Sequence, residues 1–135
     1  MKAFLAKHEL GSIATIHTDK AGPESAVVAF AETNELELLF GTANTTRKYY
    51  NIAQNPHVAF VIGWSSTEGS MQYEGVAQEL HEEEVKKYWP LLVAKNESHR
   101  QFFGQSVQRY FLVKPTWIRF IDSAGSPPDT YEISF

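Results

Sequence analysis

The sequence of 135 residues contains no cysteine. This absence excludes a disulfide framework, a zinc site built from thiolates and a cysteine nucleophile. The chain also lacks an apolar run of membrane-spanning length, and its opening MKAFLAKHELGS has no apolar core long enough for a secretory signal. We therefore expect a cytoplasmic protein with no membrane partner.

Positive charge is also scarce. Sixteen acidic residues stand against twelve lysines and arginines, which gives a net charge of −4, and no long basic stretch offsets it. This balance argues against a nucleic-acid partner. Hydrophobic residues make up 43% of the chain and aromatic residues 13%, enough apolar surface for one globular core. We expect a single domain over residues 1–135.

Motifs for metal binding and for hydrolysis are missing. The five histidines are scattered, without an H-x-x-H or H-E-x-x-H pairing, and no Ser-His-Asp grouping has a local signature. Neither of the two common nucleotide loops, G-x-G-x-x-G and G-x-x-x-x-G-K-[ST], occurs. We expect no metal and assign no catalytic residue.

Alternating apolar and polar residues predict about six strands. GSIATIHT, ESAVVAFAE and LELLFGTA are separated by short turns such as DKAGP, which predicts an antiparallel meander. HVAFVIGW is continuously apolar, so both of its faces are expected to be covered. MQYEGVAQEL, QRYFLVKPTWIRFID and a terminal strand or arm, TYEISF, follow. The predicted fold is mainly β, a six-stranded antiparallel barrel with flanking helices.

Two predicted helices carry opposite charges at their starts. Glu82, Glu83 and Glu84 open one helix, which suits the partly positive N-terminus of a helix. The helix predicted over residues 45–54 opens instead with the bases Arg47 and Lys48.

A bound anion would account for these two bases. Free backbone N–H groups, the hydroxyls of Thr45 and Thr46, and the two cations form a phosphate-sized site. The alternative is that Thr45 caps the helix and both cations point into water. Gly41, which lets a ligand approach the backbone, and Thr42, a further hydroxyl, favour the phosphate interpretation.

The order of the segments LGSIAT, GPESAVVAF, FGTANTTRKYYNIAQNPHVAFVIGW and YEGVAQEL resembles the pyridoxamine 5′-phosphate oxidase-like family. The resemblance covers roughly residues 4–80, with a looser match through PTWIRFID. It is strongest in the run Thr-x-x-x-[Ser/Thr]-Arg-Lys, the Asn-Pro after the helix and the Glu-Gly of the fifth strand. It implies the FMN-binding split-barrel fold, in the general stress protein and flavin-nucleotide-binding branch.

The resemblance also implies how flavin mononucleotide (FMN) is held. The phosphate is expected on Thr46, Arg47 and Lys48, and Thr42 is expected to approach the phosphate or the ribityl chain. Gly41 belongs to the same junction.

The flavin ring is expected beside the backbone of Ala26, Val27 and Val28. The family is typically a homodimer with the cofactor at the interface, where side chains of the partner's fifth strand reach the flavin. Ser70 and Gln72 are the polar candidates for that contact.

Departures from the pyridoxamine phosphate oxidases narrow the expected function. The segment ESAVVAFA carries no base where those enzymes have an Arg and a Lys, and their Arg-x-His signature has no counterpart after Trp117. We therefore expect an FMN-dependent oxidoreductase of unknown substrate, with a small-molecule redox partner. The alternatives are a non-enzymatic binding protein that holds flavin, deazaflavin or haem for sensing, storage or stress protection, and a protein with no cofactor.

The aromatic side chains near the predicted site are assigned packing roles. Trp64 and Trp117 could stack on a flavin, but a core or dimer-interface position is the commoner fate of tryptophan. Tyr49 and Tyr50 are expected to pack their helix against the barrel.

Overall fold

Strands joined by short turns dominate the protein, as the alternating sequence pattern predicts. The computed structural model describes residues 1–20 and 22–135. The turn DKAGP contains Ala21, which lies outside the described residues. The elements in chain order are α1 (Lys2–Lys7), β1 (Leu10–Ile16), β2 (Pro23–Glu32), β3 (Leu38–Ala43), α2 (Arg47–Gln54), β4 (His57–Ser65), β5 (Gly69–Glu79), α3 (Glu82–Lys95), a 3₁₀ helix (Glu97–Phe102), β6 (Gln108–Asp122) and β7 (Asp129–Ser134).

The strands form one antiparallel sheet in the order β3-β2-β1-β4-β5-β6-β7. Residues 108–113 of β6 also pair with β3, which closes six strands into a barrel. Residues 117–122 of β6 pair with β7, an additional strand outside the closed ring. The six-stranded antiparallel barrel predicted from the sequence is therefore confirmed.

β2 and β3 separate soon after they meet. Their pairing covers three residue pairs, from Phe30 with Phe40 to Glu32 with Leu38. β1, in contrast, pairs with β2 from Pro23 to Ala29. The second edge of β2 is therefore not paired to a strand over residues 23–29 in the described part of the chain. α2 lies at this open end of the barrel, with Ile52 in the core.

Inward-facing side chains fill the barrel. Its largest fully buried members are Phe30, Phe40, Phe60 and Tyr73. A second apolar cluster lies outside the barrel wall, where α3 contributes Leu92 against β2, β3 and β6. Burial of such side chains stabilises the fold by roughly 1.5–3 kcal/mol each.

β4 corrects one prediction. Its apolar run was expected to be covered on both faces, but its burial alternates, and Val61 and Trp64 are 42% and 61% exposed. The reason is geometric, because a barrel strand turns one face to the interior and the other outward. Tyr50 is also exposed, whereas Tyr49 packs on the core as expected. No helix among the described residues is both long and apolar enough to cross a membrane.

Candidate functional site

The start of α2 is fixed by hydroxyl groups. The Thr46 hydroxyl donates to the Ala43 carbonyl oxygen over 3.0 Å and accepts from the Tyr49 N–H over 3.4 Å. The Thr42 Oγ1 lies 2.9 Å from the Thr46 Oγ1. These contacts make Thr46 the N-cap. The alternative in which Thr45 caps the helix is therefore wrong, because Thr45 lies one residue before the N-cap and is exposed.

Lys48, in the first turn of α2, reaches the Thr42 hydroxyl. Its Nζ lies 3.5 Å from the Thr42 Oγ1, a long contact that leaves the ammonium free to donate to another acceptor. Burial lowers the pKa of Lys48 below its ordinary value. An anion beside this half-buried ammonium would offset the desolvation.

Arg47 has an acidic partner that the sequence analysis did not assign. Its Nη2 lies 2.5 Å from an oxygen of Glu24 on β2. The other Glu24 oxygen accepts from the Asn51 side-chain N–H over 2.9 Å, and Asn51 also donates to the Thr15 hydroxyl over 3.0 Å. The Nε2 of His17 lies 3.8 Å from Glu24. The Arg47 side chain is 74% exposed, so its remaining donors face solvent.

Glu24 is held in its charged form by these neighbours. The hydrogen bond from Asn51 lowers the pKa of Glu24, and the charges of Arg47, His17 and Lys20 lower it further, against an opposing effect of burial. The site therefore contains a fixed carboxylate beside its two bases.

A cleft of about 280 Å³ connects these groups with β1 and β2. Its lining consists of Ile13, Thr15, Glu24, Ser25, Ala26, Arg47 and Lys48. The cleft therefore lies where β2 and β3 separate, beside the cationic start of α2.

The open edge of β2 contributes backbone groups to this region. The His17 N–H donates to the Gly22 carbonyl oxygen, and the Phe30 N–H donates to the Glu9 carbonyl oxygen. These bonds show that the even-numbered residues of β2 direct their backbone N–H and C=O groups toward β1. With the observed register, the N–H and C=O groups of Ser25 and Val27 point away from β1. They are available to a ligand at the edge of the cleft.

The predicted residues of β2 and β3 take different positions. Ala26 lines the cleft. The Val27 side chain is 64% exposed on the outer face of the barrel, and the Val28 side chain is in the core. A Cβ at Gly41 would lie 2.5 Å from the side-chain nitrogen of Gln108 and 3.1 Å from the ring of Tyr110, so a larger residue there would displace side chains of β6.

Ser70 and Gln72 lie away from the cleft within one chain. Both are on β5, where Gln72 pairs with Val61 on one side and Arg119 on the other. β5 is three strands from β2 in the sheet, which corresponds to roughly 14 Å at the usual strand spacing. These two side chains could meet a cofactor at this cleft only across an interface between two chains.

Sequence reasoning missed Thr15, Glu24 and Asn51. One signal was present, because Asn51 follows Arg47 by four residues and so shares its face of the helix. An amide on the buried face of a helix needs polar partners. The identity of those partners depends on the β1–β2 register, which brings Thr15 opposite Glu24.

A larger cleft of about 620 Å³ lies between the start of α3 and the start of β6. Its charged lining includes both acids and bases, and Arg109 lies 3.6 Å from Glu79. The helix start at this cleft carries the acids Glu82, Glu83 and Glu84, so it is less suited to a phosphate than the start of α2. Among the described residues, no group of three or more acidic residues and histidines is arranged to hold a metal ion.

Sequence comparison identifies a family. The family model described as "Pyridoxamine 5'-phosphate oxidase" matches residues 1–122 of the chain. The pyridoxine/pyridoxamine 5′-phosphate oxidase of Actinobacillus pleuropneumoniae serotype 3 (strain JL03) is 32% identical over 78 residues. That match covers 58% of this chain and 36% of the relative, so the chain matches about a third of the relative's length.

Structural comparison identifies the fold. The heme binding protein from Mycobacterium smegmatis superposes with a TM-score of 0.83 at 13% identity, covering 98% of this chain and 56% of that chain. A pyridoxamine 5′-phosphate oxidase-related, FMN binding protein from Nostoc punctiforme PCC 73102 gives a TM-score of 0.71 at 14% identity, covering 93% and 80%. The predicted split-barrel fold and the resemblance stated from the sequence are confirmed.

Proposed function

Because the chain belongs to the pyridoxamine 5′-phosphate oxidase family, we propose that it binds FMN at the start of α2 and passes electrons or hydride through the flavin. The observation that carries this proposal is the convergence of Thr42, Thr46, Arg47 and Lys48 where β2 and β3 separate. A phosphate there accepts hydrogen bonds from hydroxyls, from two cationic side chains and from the first N–H groups of α2.

The open edge of β2 is the proposed platform for the flavin ring. The backbone groups of Ser25 and Val27 face this edge, and Ala26 lines the adjoining cleft. FMN, when bound, supplies the redox chemistry, while the protein holds and orients it. Because the flavin would supply the redox chemistry, no side chain needs to act as an acid or base catalyst, and no catalytic residue is proposed.

The proposal does not extend to the reaction of the curated relative. The matched segment covers 36% of that enzyme, so most of its length has no counterpart in the match. In addition, the residue that faces Arg47 from β2 is the acid Glu24 rather than a base. The proposed substrate is therefore a small-molecule redox partner.

A homodimer is part of the proposal. The outer face of β1, β2 and β4 exposes Leu10, Val27 and Val61, and Trp64 is exposed near the end of β4. The paired register places Val27, Ser12, Val61 and Gln72 in one row across this face. A second copy seated on this row would cover the apolar side chains and bring its β5 toward the cleft.

Light scattering at several protein concentrations tests the dimer. The wild type should have twice the mass of one chain, and Val61→Lys should shift it toward the monomer, because the charge would be buried in the interface. Tyr131→Lys, a change of an exposed residue on β7, is the matched control. A monomeric wild type would contradict this part of the proposal.

Haem binding is the second candidate, because one similar structure is described as a heme binding protein. His17 lies beside the cleft, but its Nδ1 accepts the backbone N–H groups of Asp19 and Lys20 over 3.0 and 3.1 Å. Its Nε2 faces Glu24 at 3.8 Å. Because Nδ1 accepts hydrogen bonds, the neutral ring carries its proton on Nε2, so neither nitrogen offers a free lone pair to iron, which makes His17 a poor haem ligand and favours FMN.

A double variant tests the phosphate assignment. Arg47→Ala with Lys48→Ala removes both bases of α2, and we expect FMN binding to weaken by about 100-fold or more, since each charged hydrogen bond contributes roughly 1.5–3 kcal/mol. The matched control is Lys86→Ala with Lys87→Ala, which removes two adjacent bases from α3. Visible absorption and fluorescence titration with FMN measure the outcome.

The control should bind FMN as the wild type does. Equal FMN affinity in the Arg47/Lys48 variant would refute the site. A Soret band in the purified wild-type protein would instead favour the haem candidate.

A redox turnover experiment distinguishes an enzyme from a non-enzymatic binding protein. FMN-loaded protein is mixed anaerobically with NADH or NADPH, and the flavin absorbance is followed before and after an acceptor is added. Bleaching and recovery over repeated cycles support an oxidoreductase. A flavin that stays oxidised with both donors favours a binding role.

A further inference from the structure

Glu24 is the acidic member of an otherwise cationic site. Its two oxygens contact Arg47 and Asn51, at 2.5 and 2.9 Å. Because Asn51 is only 3% exposed and also donates to Thr15, it holds the carboxylate in a fixed position. Glu24 lines the same cleft as Arg47 and Lys48.

The two bases of the site are consequently not equivalent. Arg47 is paired with Glu24, whereas Lys48 contacts the neutral hydroxyl of Thr42 over 3.5 Å. A phosphate that binds Arg47 must share it with a carboxylate or displace that carboxylate. A phosphate that binds Lys48 meets no such competition from the Thr42 hydroxyl.

We propose that Glu24 is a specificity-determining residue of this cleft. Its carboxylate lowers the preference of the cleft for a ligand with a dianionic phosphate over the same ligand without the phosphate. The inference rests on the proposed FMN site and adds a selectivity to it. The carboxylate repels phosphate and occupies Arg47, but it has no charge to oppose in an uncharged ribityl terminus. Glu24 thus prevents the site from binding phosphate esters tightly and without selectivity.

The size of the effect follows from Coulomb's law. For an assumed separation of about 6 Å in a largely aqueous cleft, a carboxylate opposes the binding of a dianion by roughly a factor of ten. Riboflavin, which is FMN without the phosphate, should be insensitive to this charge. The ratio of dissociation constants, that of riboflavin divided by that of FMN, therefore measures the effect of the Glu24 charge.

The experiment compares Glu24→Gln and Glu24→Asp with the wild type, by fluorescence titration with FMN and with riboflavin. Glu24→Gln keeps an oxygen that can accept from Asn51 but removes the charge. We expect it to raise the ratio about tenfold. Glu24→Asp retains the charge and should leave the ratio near the wild-type value. Glu35→Gln, which removes a charge from an exposed residue of the β2–β3 turn, is the matched control.

A second measurement separates electrostatic competition from a purely structural role. Arg47→Ala should weaken FMN binding more in the Glu24→Gln background than in the wild type, because Arg47 is then free for phosphate. If Glu24 only holds Arg47 in place, Glu24→Gln should weaken FMN binding and lower the ratio. Thermal melting checks that each variant is folded.

Inorganic phosphate distinguishes the two proposals. If no variant binds flavin, but phosphate raises the melting temperature of Glu24→Gln more than that of the wild type, the FMN proposal fails and the role of Glu24 stands. If FMN binds and neither the ratio nor the phosphate response changes in Glu24→Gln, the role of Glu24 is overturned while the FMN proposal stands. If neither flavin nor phosphate acts on any variant, both proposals are wrong.

Discussion

α2 and α3 each follow a strand within a few residues and begin with adjacent charged residues, but the charges have opposite signs. The first turn of α3 contains Glu82, Glu83 and Glu84, and the Glu84 carboxylate accepts the His81 N–H over 3.2 Å. The first turn of α2 contains no acid and opens with Arg47 and Lys48. α3 therefore carries first-turn charges that suit a helix N-terminus, whereas α2, although Thr46 caps it, carries first-turn charges that oppose it.

The difference shows how an unfavourable charge in one element is compensated by another. Glu24 on β2 pairs with Arg47, and Thr42 on β3 contacts Lys48. One base of α2 is thus neutralised within the protein, and the other contacts only a neutral hydroxyl among its described partners. A helix start that carries bases and no acid in its first turn is well suited to bind an anion.

The largest expected effect comes from disconnecting α2 from the barrel strands. Asn51→Leu removes the donor to Thr15 and Glu24, and we expect the free energy of unfolding to fall by about 1–3 kcal/mol, because buried polar groups lose their partner. Gln54→Leu, a change of an exposed amide at the end of the same helix, should alter it by less than about 0.5 kcal/mol. Urea unfolding measures both, and equal stability of the two variants would show that α2 does not depend on the network.

A smaller effect is expected from the caps. Thr46→Ala removes the side-chain acceptor of the Tyr49 N–H and should cost about 1 kcal/mol in the ligand-free protein. Glu84→Ala removes the corresponding contact of α3 and should cost a similar or smaller amount. Only Thr46→Ala should also weaken FMN binding. Loss of FMN affinity in Glu84→Ala would remove the functional distinction between the two helix starts.

The smallest expected effect is a pH dependence of Lys48. Because burial lowers the pKa of Lys48 below its ordinary value of 10.5, the unfolded chain binds this proton more tightly than the folded protein. The stability of the ligand-free wild type should therefore rise relative to Lys48→Met as the pH increases toward 10.5, and the difference should be flat at lower pH.

Urea unfolding of both proteins across this range measures the slope, with Lys87→Met on α3 as the control for losing one charge. A difference between the wild type and Lys48→Met that falls with pH would contradict the burial of Lys48.

Local pattern was sufficient to predict much of the fold. The strands, the two longer helices and the barrel follow from alternation, turn residues and the Asn-Pro that ends α2, because these are properties of neighbouring residues. The outer face of β4, predicted to be covered, has no covering element among the described residues of the single chain, and a run of apolar residues does not reveal whether another part of the chain will cover it. The start of α2 was predicted two residues early, at Thr45 instead of Arg47, because Thr45 and Thr46 are both suitable N-caps and the local sequence does not select between them.

The candidate site was predicted in part. Arg47, Lys48, Thr46 and Thr42 were identified at the helix start, and the structure brings Thr42, Thr46 and Lys48 into contact, whereas Arg47 contacts Glu24. Glu24 was not identified, because it lies 23 residues earlier in the sequence and its role depends on a strand register. Their use in cofactor binding remains a prediction.

The sequence by itself determined that two bases would stand at the start of a helix between a strand and an Asn-Pro stop, since helix limits and dipole preferences are local. Only the tertiary structure decided which of those bases is neutralised, by bringing an acid of β2 and a hydroxyl of β3 to the same turn. The physical reason is that electrostatic energy depends on distance in space, and closure of the barrel sets that distance without leaving a signature in the order of residues.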